Sequence, residues 1–160
     1  MFSRLSFVSL LAVPVVVGFF AQSAFAAPTS GELVSRQVGN LQCNLDRLAI
    51  VAALSQMKKD VDDLASAGAS DPSVTSATTQ ADSGLTDAKD GIVTIAQALI
   101  QGQTAPASAR DQVGQGLTTI QTALDSIDST DPNVTSALSK AKSDLSKAVS
   151  AGQGVVSNCK

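Results

Sequence analysis

Apolar and small residues recur along residues 44–157 in alternating steps of four and three, the spacing that places them on one face of a helix. Two segments carry this pattern at Val74, Thr78, Ala81, Leu85, Ala88, Ile92, Ile95 and Leu99, and at Val134, Leu138, Ala141, Leu145, Ala148, Gly152 and Val155. The segments that precede them repeat it at Ile50, Leu54, Met57, Val61 and Leu64, and at Val113, Leu117, Ile120, Leu124 and Ile127. The pattern predicts four helices, at residues 44–67, 72–101, 107–128 and 132–157.

One stretch of the chain occurs twice. The sequence DPSVTSA at residues 71–77 returns as DPNVTSA at residues 131–137, and the correspondence continues as far as Ala88 and Ala148. Such an internal repeat predicts two copies of one helical hairpin. Each copy opens with Asp followed by Pro, which favours an N-cap and the first position of a helix, respectively.

The connections between the predicted helices are short and rich in residues that end helices. They lie at residues 68–71, 102–106 and 129–131. Short connections make successive helices antiparallel, so we predict an all-α fold: an antiparallel up-down-up-down four-helix bundle built from a duplicated helical hairpin. Residues 31–40 either add a short fifth N-terminal helix or lie across the bundle, and the sequence does not decide between the two.

The first 26 residues have a different pattern. Arg4 precedes an apolar run at residues 5–20, and Ala24 and Ala26 supply the small residues of a cleavage site. Pro14 interrupts the run, which argues against a membrane anchor. We therefore predict a signal peptide at residues 1–26, a single helical domain at residues 27–160, an extracellular location, and no integral membrane segment once the signal is removed.

Two cysteines remain in the predicted domain, Cys43 and Cys159. In an exported chain an even pair predicts a disulfide bond. Cys43 lies at the start of the first predicted helix and Cys159 beyond the end of the fourth. In a bundle with an even number of alternating helices these two points share one end, so the bridge and the topology support each other.

The amino-acid composition excludes most kinds of catalytic site. The chain contains no His, Trp or Tyr, and all five of its Phe residues lie before residue 26. The predicted domain therefore has no imidazole base, no His metal ligand, and no ring on which a sugar or a nucleobase could stack. The formal net charge of −3 argues against a nucleic-acid partner. We predict a protein that is not an enzyme and has neither catalytic residues nor a cofactor.

Three acidic groups were considered as metal sites. They are Asp60 with Asp62 and Asp63, Asp87 with Asp90, and Asp125 with Asp128 and Asp131. None has the spacing of a calcium-binding loop, and charged residues are rarely buried without partners. We predict that all three lie on solvated helix faces and that the chain holds no metal.

The alternation of large aliphatics with Ala leaves two interpretations of the core. One is a dry, tightly packed interior. The other is an apolar groove for an acyl chain, lined by Ala81, Leu85, Ala88, Ile92, Ala141, Leu145, Ala148 and Gly152.

Asn133-Val134-Thr135 is an N-glycosylation sequon at the start of a predicted helix, which makes Asn133 a candidate glycan attachment site.

Several stretches resemble a known family. They are CNLDRL at residues 43–48, GIVTIAQAL at 91–99 and APASARDQV at 105–113, in an Ala/Ser/Thr-rich helical chain with a secretory signal. Together they resemble small secreted fungal proteins of the hydrophobic surface-binding protein A / cell-wall galactomannoprotein family. The resemblance implies a non-enzymatic protein that adsorbs to hydrophobic surfaces or sits in the wall as a mannoprotein, with some members binding fatty acids. The resemblance does not assign any functional site residue in this chain.

The leading hypothesis is therefore a secreted, non-enzymatic protein that associates with the cell wall or with hydrophobic surfaces. One alternative is a fatty-acid or lipid-binding module with an interior apolar cavity. Another is a secreted effector or structural protein that acts through a protein partner.

Overall fold

The computed structural model describes residues 41–159, which form four α-helices. These are α1 (Leu41–Ala67), α2 (Pro72–Ile100), α3 (Ala107–Asp125) and α4 (Pro132–Asn158). They pack as a four-helix bundle in which short connections reverse the chain each time, and this confirms the predicted fold class. The predicted signal peptide and the candidate fifth helix at residues 31–40 lie outside the described residues.

The two Asp-Pro pairs start helices as predicted. Asp71 Oδ1 accepts a hydrogen bond from the backbone N–H of Ser73 at 2.8 Å, and Asp131 Oδ1 accepts one from that of Asn133 at 2.7 Å. These bonds satisfy N–H groups that have no partner inside the helix. The hydroxyl and backbone N–H of Ser73 also lower the pKa of the Asp71 carboxyl, because both bonds favour its charged form.

The helix bounds differ from the predicted ones by three residues at two places and by one residue at the ends of α2 and α4. α1 begins at Leu41, before the predicted residue 44, and α3 ends at Asp125, before the predicted residue 128. At the end of α3, the Ser126 hydroxyl donates to the carbonyl of Ala123 at 2.7 Å, a local bond that competes with continued helix. Ile127 is nevertheless buried, because a residue just beyond a helix can still pack into the core.

The core is aliphatic and contains many alanines. Its largest fully buried side chains are Leu54, Met57, Leu64, Leu85, Ile120 and Leu124. The predicted heptad positions supply most of the remaining core residues, and alanines such as Ala81, Ala88, Ala141 and Ala148 are completely buried between them. Small residues at these positions let the helix axes approach closely.

The most extensive helix contacts are between α2 and α3 and between α1 and α4. The helices within each predicted hairpin, α1 with α2 and α3 with α4, touch less. Gly84 on α2 and Gly116 on α3 explain one close contact: a Cβ added to Gly116 would lie 2.5 Å from the Gly84 carbonyl oxygen and 2.8 Å from the Ala88 nitrogen. The backbones of α2 and α3 therefore touch directly at this point.

One end of the bundle is closed covalently. Cys43 and Cys159 form the predicted disulfide, with their Cα atoms 5.0 Å apart and 116 residues between them in sequence. Beside it, Asn158 Nδ2 donates a hydrogen bond to Asp46 Oδ2 at 2.8 Å. The bridge and this hydrogen bond tie the start of α1 to the end of α4.

Two glycines of α3 provide a matched test of the helix contact. We expect Gly116→Ala to lower the free energy of unfolding by about 1–3 kcal/mol, because the new methyl group overlaps the α2 backbone. A Cβ at Gly114 would meet nothing within 4 Å, so Gly114→Ala should raise the free energy of unfolding by about 0.5–1 kcal/mol through helix propensity. Urea unfolding followed by circular dichroism measures both. Equal stability of the two variants would contradict the close backbone contact.

The disulfide should carry a large share of the stability. Cross-linking residues 116 apart restricts the unfolded chain, and loop-closure entropy predicts that replacing both cysteines by Ala lowers the free energy of unfolding by about 4–5 kcal/mol. Urea unfolding of the wild type with and without reductant should reproduce this loss. The Cys43→Ala/Cys159→Ala variant is the control, because reductant should leave its midpoint unchanged. A wild-type midpoint insensitive to reduction would refute the expectation.

Candidate functional site: the apolar end of the bundle

The residues of the predicted acyl groove lie in or beside the core. Ala81, Leu85, Ala88, Ala141, Leu145 and Ala148 are buried, whereas Ile92 and Gly152 are partly buried. An open surface concavity beside the start of α2 is lined by other residues, among them Ala69, Pro72 and Thr75. The acyl-groove hypothesis therefore stays a prediction.

The acidic groups are mostly exposed, with one exception. Within residues 41–159 no three His, Cys, Asp or Glu side chains lie close enough together to hold a metal ion. Asp60, however, is only 5% exposed, so its predicted place on a solvated face is wrong. The helical spacing contained the signal: Asp60 lies three residues after Met57 and four before Leu64, both core residues, so it shares their inward face although its side chain is acidic.

Asn133, the candidate glycosylation residue, is exposed on the first turn of α4. Its backbone N–H is engaged by the Asp131 cap, whereas its side chain lies beside a concavity that Asp60, Asp63 and Lys140 also line. The sequon is therefore on the surface, at the end of the bundle opposite the disulfide.

The large hydrophobic side chains that are exposed in the described residues gather towards one end of the molecule. Leu41 is 77% exposed, Leu48 68% and Ile100 86%. The complete set is Leu41, Leu45, Leu48 and Val51 on α1, Val93 and Ile100 on α2, and Val156 on α4. At 1.5 Å per residue, each lies within about 15 Å of the disulfide-bearing end of its helix. We call this surface the apolar end.

The first turns of α1 are apolar on two opposite faces. Leu41, Leu45 and Leu48 follow the four-three spacing and share an outward face. Cys43, Ile50 and the residues after them turn inward to the core. The outward stripe is not among the predicted positions, which cover only the inward face of the first helix, although the same four-three spacing reveals it in the sequence.

The opposite end of the bundle is polar. The connection between α1 and α2 exposes Ser70, and the connection between α3 and α4 exposes Ser126, Asp128 and Thr130. Helices of 27 residues, such as α1 and α4, are about 40 Å long, so the two ends are well separated. The exposed large aliphatic side chains of the described bundle thus lie towards one end, which also exposes Gln101, Gln103 and Thr104 of the α2–α3 connection.

Polar groups at the apolar end bond to one another. Asp46 accepts hydrogen bonds from Gln42 at 3.0 Å and from Asn158 at 2.8 Å. Gly154 leaves room for this carboxylate, since a Cβ there would lie 2.7 Å from Asp46 Cγ. Arg47 donates to Asn44 Oδ1 at 3.3 Å. These bonds hold the Asp46 and Arg47 side chains along the helices, between the protruding aliphatic side chains.

No protein-family model, curated protein or solved structure matches the chain, so its own geometry is what bears on function. Within residues 41–159, no helix combines the length and the apolar character needed to cross a membrane.

Proposed function

We propose that the protein is a secreted, non-enzymatic protein that associates with hydrophobic surfaces, including apolar material at a cell wall, through its apolar end. The observation that carries the proposal is the gathering of exposed aliphatic side chains at the disulfide-bearing end. Isolated exposed hydrophobics are ordinary on soluble proteins, but a group of them at one site is typical of an interaction surface.

The energetics of such a contact are favourable without any opening of the bundle. Removal of aliphatic surface from water contributes about 25 cal/mol per Å². Leu41, Leu48 and Ile100 are each more than two-thirds exposed and can give up much of their water-accessible area on contact. The disulfide can therefore stay intact during adsorption, and the core need not be exposed.

The chemistry and shape of the apolar end favour an extended aliphatic surface over other occupants. Protein interfaces concentrate their binding energy in Trp, Tyr and Arg, whereas the apolar end presents Leu, Ile and Val. A single lipid molecule is usually held in a concave pocket, but these side chains project from the outer faces of helices. A wax, polyester or oil surface needs neither a concave pocket nor a complementary shape to contact such side chains.

The polar end completes the orientation that we propose. With the apolar end on a surface, Asn133 and the Ser, Thr and Asp residues of the opposite connections point to water. A glycan on Asn133 would then extend away from the contact. This arrangement supports a role as an extracellular, wall-associated glycoprotein, and the disulfide is compatible with that location.

Adsorption to aliphatic polyester particles tests the proposal. The wild type should be depleted from the supernatant with its disulfide intact, and should stay in solution with hydrophilic silica. The variant Leu41→Ser/Leu45→Ser/Leu48→Ser should bind at least about a hundredfold more weakly, since three leucines lose roughly 1 kcal/mol of contact each. The control Thr79→Ser/Thr86→Ser/Thr118→Ser changes three exposed residues elsewhere and should adsorb like the wild type.

Three results would contradict the proposal in distinguishable ways, and a fourth would refine it. A wild type that stays in the supernatant of both particles would refute surface association. Equal adsorption of the leucine variant and the control would show that the apolar end is not the contact. A concentration-dependent dimer that the leucine variant loses would identify a second copy as the occupant. Stronger adsorption after deletion of residues 27–40 would identify that segment as the cover of the apolar end.

A further inference from the structure

The interface between α1 and α4 contains two buried carboxyl groups. Asp60 on α1 is 5% exposed and Asp144 on α4 is 6% exposed. They lie within the extensive contact of α1 with α4, and each carboxyl influences the pKa of the other. Two ionised carboxylates in such a setting repel each other and lose hydration, so the closed interface favours a single proton held between them.

The internal repeat shows that the fold itself does not require acids here. Within the internal repeat, Asp144 corresponds to Gly84 of α2, which lies against Ile120 of α3. Those two residues pack directly between α2 and α3, since a Cβ on Gly84 would lie 2.9 Å from Ile120 Cγ1. One helix pair thus meets through an aliphatic side chain and a glycine, and the other meets through a pair of carboxyls.

The groups around the pair decide which carboxyl holds the proton. Lys147 forms an ion pair with Asp144 and, as the largest influence, lowers the pKa of that carboxyl. Burial is the main cause that raises the pKa of Asp60, and the neighbouring Asp144 raises it further. Gln56 Nε2 donates to Asp60 Oδ1 at 3.4 Å, a bond that opposes this rise but does not reverse it. Asp60 is therefore the carboxyl that takes up the shared proton more readily.

Other charged residues lie near the pair on its own two helices. On α1, Asp63 adds a like charge near Asp60, and on α4 Lys140 lines the same surface concavity as Asp60. The neighbouring helices contribute acids that lie within ion-pair distance of lysines on α1 and α4. Asp82 of α2 lies 3.6 Å from Lys58, and Asp125 of α3 lies 2.8 Å from Lys142.

We propose that Asp60 and Asp144 form a proton-dependent clasp between α1 and α4, closed while Asp60 carries the shared proton and loosened when that proton is released. Asp60 lies about 25 Å along α1 from Cys43 at 1.5 Å per residue. The disulfide holds the other end of the same helix pair. The loosening is therefore confined to the polar half of α1 and α4, and the apolar end stays assembled.

The direction of the pH dependence follows from the two shifts. Because the pKa of Asp60 is higher in the folded chain than its ordinary value of 3.8, the folded chain holds an extra proton between those two values, and closure weakens as pH rises through the folded pKa. Asp144 acts oppositely: its contribution is present above its ordinary pKa and is lost as pH falls through its lowered pKa. The clasp is therefore tightest in mild acid.

Hydrogen exchange of the disulfide-bonded chain at a series of pH values tests the clasp, with exchange corrected for intrinsic rates. Since one proton is linked, the opening constant of residues 57–67 and 132–144 should rise with pH by up to tenfold per unit above the ordinary Asp range. The α2/α3 contact should not follow this rise. Asp60→Asn, which mimics the protonated carboxyl, should abolish the rise. Asp63→Asn, at an exposed neighbour, should keep it.

Two results would overturn the proposal. One is an opening constant in the wild type that does not change with pH above the ordinary Asp range, and the other is the same slope in Asp60→Asn as in the wild type. Carboxyl ¹³C titration of the wild type gives a test that needs no variant. The midpoint of Asp60 should lie above the ordinary Asp value, and a midpoint at or below that value would also overturn the clasp.

Discussion

The bundle depends on how closely its helix backbones can approach. At the contact of α2 with α3, Gly84 and Gly116 leave no room for even one methyl group between a backbone and its neighbour. The described residues contain no aromatic ring, so the core has only aliphatic side chains to fill the space between helices. The helices must therefore lie close together, with small residues at the closest contacts and Leu, Ile, Val and Met elsewhere in the core. Close packing of this kind transmits any change in residue volume directly to the helix axes.

The two closely packed helix pairs differ in the residues at their contacts. The α2/α3 pair is wholly apolar at Gly84 and Ile120, so its contact is insensitive to pH. The α1/α4 pair has Asp144 at the position that corresponds to Gly84, has Asp60 buried on the facing helix, and adds a disulfide at one end. A partly duplicated sequence thus produces an apolar α2/α3 interface and an α1/α4 interface that contains a disulfide and two titratable carboxyls.

The surface chemistry is divided along the long axis of the bundle. Exposed aliphatic side chains such as Leu41 and Ile100 lie at the disulfide-bearing end, and Ser, Thr, Asp and the Asn133 sequon lie at the other. In the function that we propose, this division orients the molecule on an apolar surface. The proposed clasp lies in the polar half, so adsorption and proton-dependent loosening would involve different parts of the same helices.

The sequence by itself determined the four helices, their Asp-Pro starts, the antiparallel order, the disulfide and most core positions, because caps and periodicity are local properties of the chain. Only the tertiary structure decided that α1 pairs most closely with α4 and α2 with α3, and that Asp60 is buried despite its charge. It also decided that Leu41, Leu45 and Leu48 stay uncovered among the described residues. Periodicity identifies the faces of a helix, but which faces meet depends on contacts between residues far apart in the chain. An acidic residue is expected on the surface and a leucine in the core, and Asp60 and Leu41 show the opposite. The surroundings of such residues become known only when the helices are packed together.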